Sequence, residues 1–433
     1  MNSSSKYLAL AVAVVILALA SIWALKAQQP LHPYASLATR GASYAGPRRA
    51  ASFDLPRAGL HIGLWVPLRG PDRAAGEAVI KAARLALRDA ARRGWPAGMT
   101  PKLAIADASG PAWGRADDRL LQLIFGQNTV ALLTTSSGNL AHLSLQVGNK
   151  VGLPVMTLSS DTTVTQIDMP WIFRLAPGDR AEAQALARAI YQRSRQSRVL
   201  IVASHDQDGR AGLHAFQRAV RALHALPPSV LQLDPLRPGT AVAELEALLL
   251  ERRSQAIVLW TQPSQTRRLL YALRAAQPAP PIYLPQSAAQ VGAGLSFTSR
   301  VENAGNSTMT AASARSMPAI YTVAASGAAS ARRVRFVRNY RHITGQAPSP
   351  VADEAYDAIR LIAAALRHAG PNRARVRDWL ASGRGYTGIS GAIRFDNRGN
   401  NSNPLHLLAL SAMKRNGRKQ VLFRKAVMDA GKQ

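Results

Sequence analysis

Short apolar runs recur along the chain, and most are followed by a segment whose apolar residues have helical spacing. The first run, Leu60–Val66, alternates large apolar residues with others, as expected for a strand. The later runs are continuous and span residues 130–133, 153–158, 199–203, 256–260 and 282–284. Continuous runs are typical of strands covered on both faces, as in parallel sheets. The pattern predicts an α/β fold with doubly wound parallel sheets, and 433 residues are enough for two such lobes.

The first 57 residues do not share this pattern. Residues 7–25 form an apolar stretch after a single Lys, close to the ~20 residues that span a bilayer. We interpret residues 1–27 as a signal anchor or a cleaved signal peptide, and we favour the anchor. Residues 28–57 are rich in Ala, Ser, Pro and Gly and are interpreted as a flexible tether. The globular part is then expected outside the cytoplasm, in the periplasm, held at the inner membrane by residues 7–25.

The composition excludes several classes of function. The chain has no Cys, which excludes disulfides, thiolate metal sites and a lipidated cysteine. The formal net charge is +30, yet most basic residues are spread singly, apart from clusters at residues 332–338 and 414–419. Specific nucleic-acid binding needs a concentrated basic surface. We therefore expect no specific nucleic-acid partner, and we leave open a lipid or polymer partner for the basic surface.

Motifs that signal catalysis do not occur in the sequence, which contains no HExxH, GxSxG or CxxC. Residues 383–388 match GxGxxG, but they precede a strand-like segment instead of opening a helix, so we interpret them as a turn. His205, Asp206 and Asp208 cluster after a predicted strand, where turn chemistry is more common than a metal site. The sequence predicts a protein that is not an enzyme and has no metal and no cofactor.

Two loops rich in Ser and Thr follow neighbouring predicted strands. Residues 134–139 follow the run at 130–133, and residues 159–163 follow the run at 153–158. In an open parallel sheet, ligands bind beyond the carboxyl ends of the strands. Hydroxyls and free N–H groups at helix starts suit a small polar ligand. The same hydroxyls would also serve as helix caps, so both interpretations stand.

Seven short motifs occur in order between about Leu60 and Leu410. They are IGLWVPLRGP at 62–71, SSG at 136–138, VGLPVM at 151–156, WIFR at 171–174, SP at 349–350, AYDAIRL at 355–361 and YTGISGAIRFD at 386–396. The ordered set resembles the extracytoplasmic solute-binding proteins of type I fold. Within this group of proteins, the motif set resembles the branched-chain amino acid and amide class, which includes Leu/Ile/Val-binding proteins and supplies ABC importers.

The resemblance implies two α/β lobes joined by three crossovers, with a ligand enclosed between them by hinge motion. It assigns residues 58–177 and 325–384 to the first lobe. It assigns residues 178–324 and 385–433 to the second lobe.

The resemblance also implies a set of ligand-binding residues, with several departures from the family pattern. Ser136 or Ser137 stands where the family holds a ligand carboxylate, whereas Asp161 stands where a Thr is usual. A carboxylate there would repel a ligand carboxylate by about 1 to 4 kcal/mol at ~4 Å. We therefore expect a cationic, amide or polyhydroxy ligand, with Trp260 as a stacking face and Arg69 as a neutralising group. The full expected set is Ser136, Ser137, Ser159, Ser160, Asp161, Asp208, Trp260, Gln286 and Arg69.

The preferred functional hypothesis is a binding protein that captures a small polar ligand, such as an amino acid or an amide. Its partner would be the permease of an ABC importer. The alternative is a membrane-anchored sensor or envelope accessory protein that reuses the fold, as the apolar N-terminus and the altered pocket suggest. An exported hydrolase is a third hypothesis, which no motif favours.

Overall fold

The computed structural model describes residues 53–110, 115–166, 169–273, 280–289, 318–324, 330–382, 385–401, 403–415 and 418–425. The expected anchor at 7–25, and all but the last five residues of the expected tether, lie outside these ranges. Within them, every helix is too short or too polar to cross a membrane.

The first sheet is entirely parallel. Its strands are β1 (Leu60–Val66), β2 (Lys102–Asp107), β3 (Asn128–Thr134), β4 (Val155–Thr157) and β5 (Ile172–Arg174). They lie in the order β2-β1-β3-β4-β5. Nearly every residue of β1, β3, β4 and β5 is buried. The strands expected from the apolar runs at 60–66, 130–133 and 153–158 are therefore confirmed.

The second sheet is mixed. The strands that follow are β6 (Val199–Ala203), β7 (Ser229–Gln232), β8 (Ala256–Trp260), β9 (Ile282–Leu284), β10 (Ile320–Ala324), β11 (Tyr386–Thr387), β12 (Ala392–Ile393), β13 (His406–Arg415) and β14 (Arg418–Lys425). The sheet order is β14-β13-β10-β9-β8-β6-β7, and β11 and β12 form a separate pair. Strands β6 to β10 are parallel, whereas β13 is antiparallel to β10 and to β14. Only two residues separate β13 from β14, too few for a parallel crossover.

Helices cover both sheets. They are α1 (Arg73–Ala91), α2 (Arg115–Phe125), α3 (Gly138–Val151), α4 (Asp179–Tyr191), α5 (Gln207–Ala222), α6 (Ala241–Arg252), α7 (Pro263–Leu273), α8 (Ala331–Thr344), α9 (Pro350–Ala369) and α10 (Arg373–Ala381). Helix α9 starts with Pro350, whose missing N–H costs nothing in a first turn, and it packs against α1. Residues from α8, α9 and α10 join β1 and β3 in one core. The chain therefore returns to the first lobe after completing most of the second.

Two of the connections between the lobes lie side by side. The backbone N–H of Arg174 donates to the carbonyl of Gly399 at 2.8 Å, and the N–H of Asn401 donates to the carbonyl of Arg174 at 3.0 Å. The Arg174 guanidinium also donates to the Asn400 side chain at 2.6 Å. Phe395 still packs in the first core. Residues as late as Phe395 thus still contribute to the core of the first lobe.

The glycine-rich motif at 383–388 is part of a turn, as far as its described residues 385–388 show. It runs into β11 and does not open a helix. A Cβ at Gly388 would overlap the Asp357 carboxylate. That carboxylate accepts hydrogen bonds from the N–H groups of Ile389 at 2.7 Å and Ser390 at 2.9 Å. Gly388 therefore leaves room for the Asp357 carboxylate, whose hydrogen bonds stabilise the turn.

Candidate functional site

The cleft between the lobes lies beyond the carboxyl ends of strands from both sheets. Helix α3 begins soon after β3, and helix α5 begins soon after β6. Ser137 caps α3 by accepting a hydrogen bond from the Leu140 N–H at 3.5 Å. Asp206 caps α5 by accepting from the Gly209 N–H at 2.8 Å. Because Ser and Asp are preferred cap residues, the sequence places a helix N-terminus on each wall of the cleft.

Asp208, in the first turn of α5, reaches across the cleft to the start of α3. Both of its carboxylate oxygens lie 3.2 Å from the backbone nitrogen of Gly138. A helix N-terminus carries partial positive charge and favours a carboxylate. Burial and, to a smaller extent, the nearby carboxylates of Asp206 and Asp161 raise the pKa of Asp208 to about 7, despite the hydrogen bond from Gly138. The lobes therefore meet through a carboxylate that gives up its proton only near neutral pH.

Asp161, on the opposite wall, is held in a different way. It is buried, and its carboxylate accepts hydrogen bonds from the N–H and hydroxyl of Thr163 at 2.8 and 2.6 Å. It also contacts His142 Nε2 at 3.2 Å and accepts from Gln207 of the second lobe at 3.0 Å. Burial alone would raise the pKa of Asp161, but the hydrogen bonds from His142 and Thr163 outweigh burial and lower it to about 2. Asp161 is therefore ionised over the whole physiological range.

The cleft has a volume of about 150 Å³ and is acidic. Its first wall carries hydroxyls, the Asp72 carboxylate and the Asn139 amide, and its second wall carries carboxylates, amides, hydroxyls and one aromatic ring. The polar and aromatic lining residues are Asp72, Thr135, Ser136, Ser137, Asn139, Ser160, Ser204, Asp206, Gln207, Asp208, Trp260, Thr261, Gln262 and Ser287. In the part of the chain that the structure describes, no Lys, Arg or His lines this cleft.

Five of the nine expected ligand residues line the cleft: Ser136, Ser137, Ser160, Asp208 and Trp260. The indole of Trp260 is 3% exposed, and a Cβ at Gly212 would overlap its ring. Gly212 on α5 thus leaves room for the indole, which lies in the second wall of the cleft.

Ser159 and Asp161 lie behind the wall of the cleft. Ser159 is fully buried, and its hydroxyl accepts a hydrogen bond from the Asp161 N–H at 3.1 Å. The loop at 159–163 therefore turns Ser159 and Asp161 inward, where they support the wall. Asp161 caps the short 3₁₀ turn Thr162–Thr165, which confirms the cap interpretation, and Ser160 lines the cleft.

Gln286 lies in a buried network that joins the lobes. Its backbone N–H donates to Glu182 on α4 at 2.7 Å, and its side-chain amide donates to Glu354 on α9. Burial raises the pKa of Glu182 to about 8, and burial also raises the pKa of Glu354. Gln286 is thus a bridge between two carboxyl groups and does not line the cleft.

Arg69 is far more exposed than the other expected residues. Its guanidinium pairs with Asp107 at 2.7 Å, and 65% of its side-chain surface is accessible. It holds the end of β2 against the loop after β1 and is not among the residues lining the cleft.

Sequence reasoning missed Asp72, Asp206, Gln207 and Gln262 as lining residues. Asp206 was recognisable as a turn residue, and the structure shows it as a cap that also accepts from Gln262 at 2.6 Å. Asp72 follows a Gly-Pro turn and precedes α1. An Asp in that position indicates the start of a helix, but it carries no information about a cleft. Among the described residues, no group of three or more His, Cys, Asp or Glu could hold a metal ion.

Two α/β lobes with a cleft at their strand ends define a two-lobed binding protein. The family model for periplasmic binding proteins matches residues 59–418, and the chain belongs to this family. The resemblance found in the ordered motifs is therefore confirmed. The family consists of substrate-binding transport proteins and is not an enzyme family, and membership implies a location outside the cytoplasm.

Solved structures share the fold at low sequence identity. An ABC transporter substrate-binding protein from Desulfitobacterium hafniense, in complex with Leu, is 18% identical, with 84% of this chain and 99% of that chain covered and a TM-score of 0.64. A branched-chain amino acid transporter substrate-binding protein from Streptococcus pneumoniae, in complex with isoleucine, is 16% identical, with 84% and 99% covered and a TM-score of 0.65. A solute-binding protein of an ABC transporter from Rhodopseudomonas palustris, in complex with 3,4-dihydroxybenzoic acid, is 17% identical, with 86% and 99% covered and a TM-score of 0.66. No curated protein matches the chain in sequence.

Proposed function

We propose that the chain captures a small organic cation in the cleft, closes around it by hinge motion and delivers it to the permease of an ABC importer. The observation that carries the proposal is the charge of the cleft. The carboxylates of Asp72, Asp206 and Asp208 line it, and no cationic side chain of the described residues does. An ammonium or guanidinium group placed ~4 Å from one such carboxylate gains about 1 to 4 kcal/mol, and a carboxylate ligand loses as much.

The uncharged groups of the cleft complete the recognition of a cation. The hydroxyls of Ser136, Ser137 and Ser160 offer lone pairs to N–H donors. The ring of Trp260 offers a face for a cation–π contact. A volume of about 150 Å³ corresponds to roughly five water molecules of ~30 Å³ each, enough for an ammonium or guanidinium head with a short substituent.

An isosteric ligand series tests the charge directly. We expect isothermal titration calorimetry at pH 8 to show binding of propylamine, weaker binding of propionamide and none of propionate. All three have a similar size and the same short alkyl chain, so a preference among them reports the charge and the hydrogen-bonding groups of the polar head. Binding of propionate in preference to propylamine would overturn the assignment of a cationic ligand, while leaving the chain a solute-binding protein.

One contact favours the alternative of a sensor or envelope accessory protein, anchored by residues 7–25. Asp208 accepts a hydrogen bond from the Gly138 N–H directly across the cleft. A protein that closes on itself in this way would have no need of a solute. Small-angle scattering separates the two functions, because a solute-binding protein contracts when propylamine is added and a self-closed one keeps its dimensions. Deletion of residues 1–27 from an exported chain should abolish function only in an anchored protein.

A further inference from the structure

A second cavity lies next to the cleft, within the second lobe. It has a volume of about 380 Å³, more than twice that of the cleft. The loop after β6, the loop after β7 and the first turns of α6 and α7 form its walls. It therefore opens at the same carboxyl edge of the second sheet as the cleft does.

The two cavities share Ser204, Asp206 and Gln262. Two of these shared side chains are hydrogen-bonded to each other, Gln262 Nε2 donating to the Asp206 carboxylate at 2.6 Å. Both side chains are half-buried, and Asp206 keeps its hydrogen bonds from Ser204 and Gly209 whether or not Gln262 is present. Gln262 can therefore turn away from the shared boundary without leaving Asp206 unpartnered.

The walls of the second cavity differ in chemistry from those of the cleft. Six of the thirteen lining residues are apolar, namely Leu233, Pro235, Pro238, Ala241, Val242 and Leu269. Its carboxylates are Asp206, which it shares with the cleft, and Asp234, which is paired with Arg237 at 3.0 Å, and Arg268 adds a positive charge. An alkyl or aryl group would bury apolar surface against the apolar residues of these walls.

We propose that the cleft and the second cavity form one extended site for an amine or guanidine with an apolar body, the cation lying in the cleft and the alkyl or aryl part in the second cavity. This inference rests on the proposed function, because it extends the cation site. The joined volume falls in the ~300–1,000 Å³ range of small-molecule pockets, whereas the cleft alone does not.

The test compares ethylamine with hexylamine by calorimetry on the purified full chain at pH 8, with a Val242→Trp variant that fills the second cavity. Each methylene buried should tighten binding about fourfold, the equivalent of ~0.8 kcal/mol. We expect hexylamine to bind the wild type at least tenfold more tightly than ethylamine does. In Val242→Trp this advantage should disappear while ethylamine binds as before. Val230→Trp is the matched control, because Val230 lies in the same lobe, is 40% exposed and lines neither cavity.

The outcomes separate this inference from the function on which it rests. Equal affinity of the wild type for both amines overturns the extended site and leaves the cation site intact. Equal weakening of both amines by Val242→Trp also overturns it, and Ala241→Leu repeats the test if the Trp variant does not fold. Failure of every amine to bind overturns the proposed function, and this inference with it.

Discussion

Each wall of the cleft brings one carboxylate to Gly138, and the two carboxylates are held in opposite ways. A Cβ at Gly138 would lie 2.5 Å from Asp208 Oδ1 and 2.8 Å from Asp161 Oδ2. Asp161 of the first lobe has a complete set of donors and a pKa of about 2, whereas Asp208 of the second lobe accepts from one N–H and has a pKa of about 7. The comparison indicates that Asp161 stabilises the first wall of the cleft, whereas Asp208 is the carboxylate that remains available to a ligand.

The largest expected effect is that of Asp161→Ala on stability. The substitution leaves Thr163, His142 and Gln207 without their acceptor, and hydrogen bonds to a charged group are worth ~1.5–3 kcal/mol. We expect the free energy of unfolding in urea to fall by about 3 kcal/mol. Asp118→Ala, at an exposed position of α2, is the control and should change it little. An equal loss in both variants would contradict a structural role for Asp161.

The next effect is that of Asp208→Asn on binding. Asparagine keeps the shape and can still accept from the Gly138 N–H, but it carries no charge. We expect the affinity for propylamine at pH 8 to fall about tenfold or more, the equivalent of ~1.5 kcal/mol. Stability should hold or rise, since the protein already favours the neutral form of this group. With Asp118→Asn as control in calorimetry, unchanged affinity in Asp208→Asn would show that Asp208 does not contact the cation.

Gly138→Ala tests whether both carboxylates need the same space. The added methyl must displace one or both of them, which we expect to cost about 1.5 kcal/mol of stability by overpacking and to open the lobes. Small-angle scattering should show a larger radius of gyration than the wild type has. Gly239→Ala serves as control because nothing lies within 4 Å of its Cβ position. A radius unchanged by Gly138→Ala would mean that the wall absorbs the methyl.

The two carboxylates also make stability depend on pH, and the sign of the dependence differs between them. The folded-state pKa of Asp208 lies above its ordinary value of 3.8, so the folded protein keeps a proton that the unfolded chain has lost. Its contribution to stability is therefore lost as the pH rises from about 4 to about 7. The folded-state pKa of Asp161 lies below 3.8, so its contribution is lost as the pH falls from about 4 to about 2.

Denaturation curves at several pH values should separate these contributions. Asp208→Asn should flatten the decline in stability between pH 4 and 7 and leave the acid limb as it is. Because only the ionised carboxylate attracts a cation, propylamine should bind about tenfold more weakly at pH 6 than at pH 8 in the wild type. The same affinity at both pH values would exclude Asp208 as the titrating group.

Much of the fold could be predicted from the sequence because its central strands are continuous apolar runs. Strands β6, β8 and β9 coincide with the runs at 199–203, 256–260 and 282–284. Strand β10 was missed because its short strand-like run, Ile320–Ala324, stands alone in a long region of small and polar residues, 287–331. Its place inside the second sheet, between β9 and β13, depends on pairing with distant segments, which no local pattern reveals.

The position of the site at the strand ends could be predicted from the sequence, but the full set of side chains that line it could not. Ser136 and Asp208 follow predicted strands and line the cleft, because loops at one edge of a parallel sheet converge there. The sequence could not tell whether a loop side chain faces the cleft or the interior. Ser159 and Ser160 are neighbours, yet one supports Asp161 and the other lines the cleft. Gln286 likewise turns away, because Glu182 and Glu354 offer it acceptors that come from distant helices.

The paired connections at Arg174 and Asn400 constrain how the lobes can move. Because hydrogen bonds link the two connecting segments, the segments bend together and resist twisting against each other. We therefore expect the lobes to rotate about a single axis. Ligand binding in the cleft would then change one angle, the angle between the two lobes. A spin-label distance between the lobes should then shift along a single coordinate with ligand. A partner that contacts both lobes could then distinguish the ligand-bound protein from the free protein by that angle.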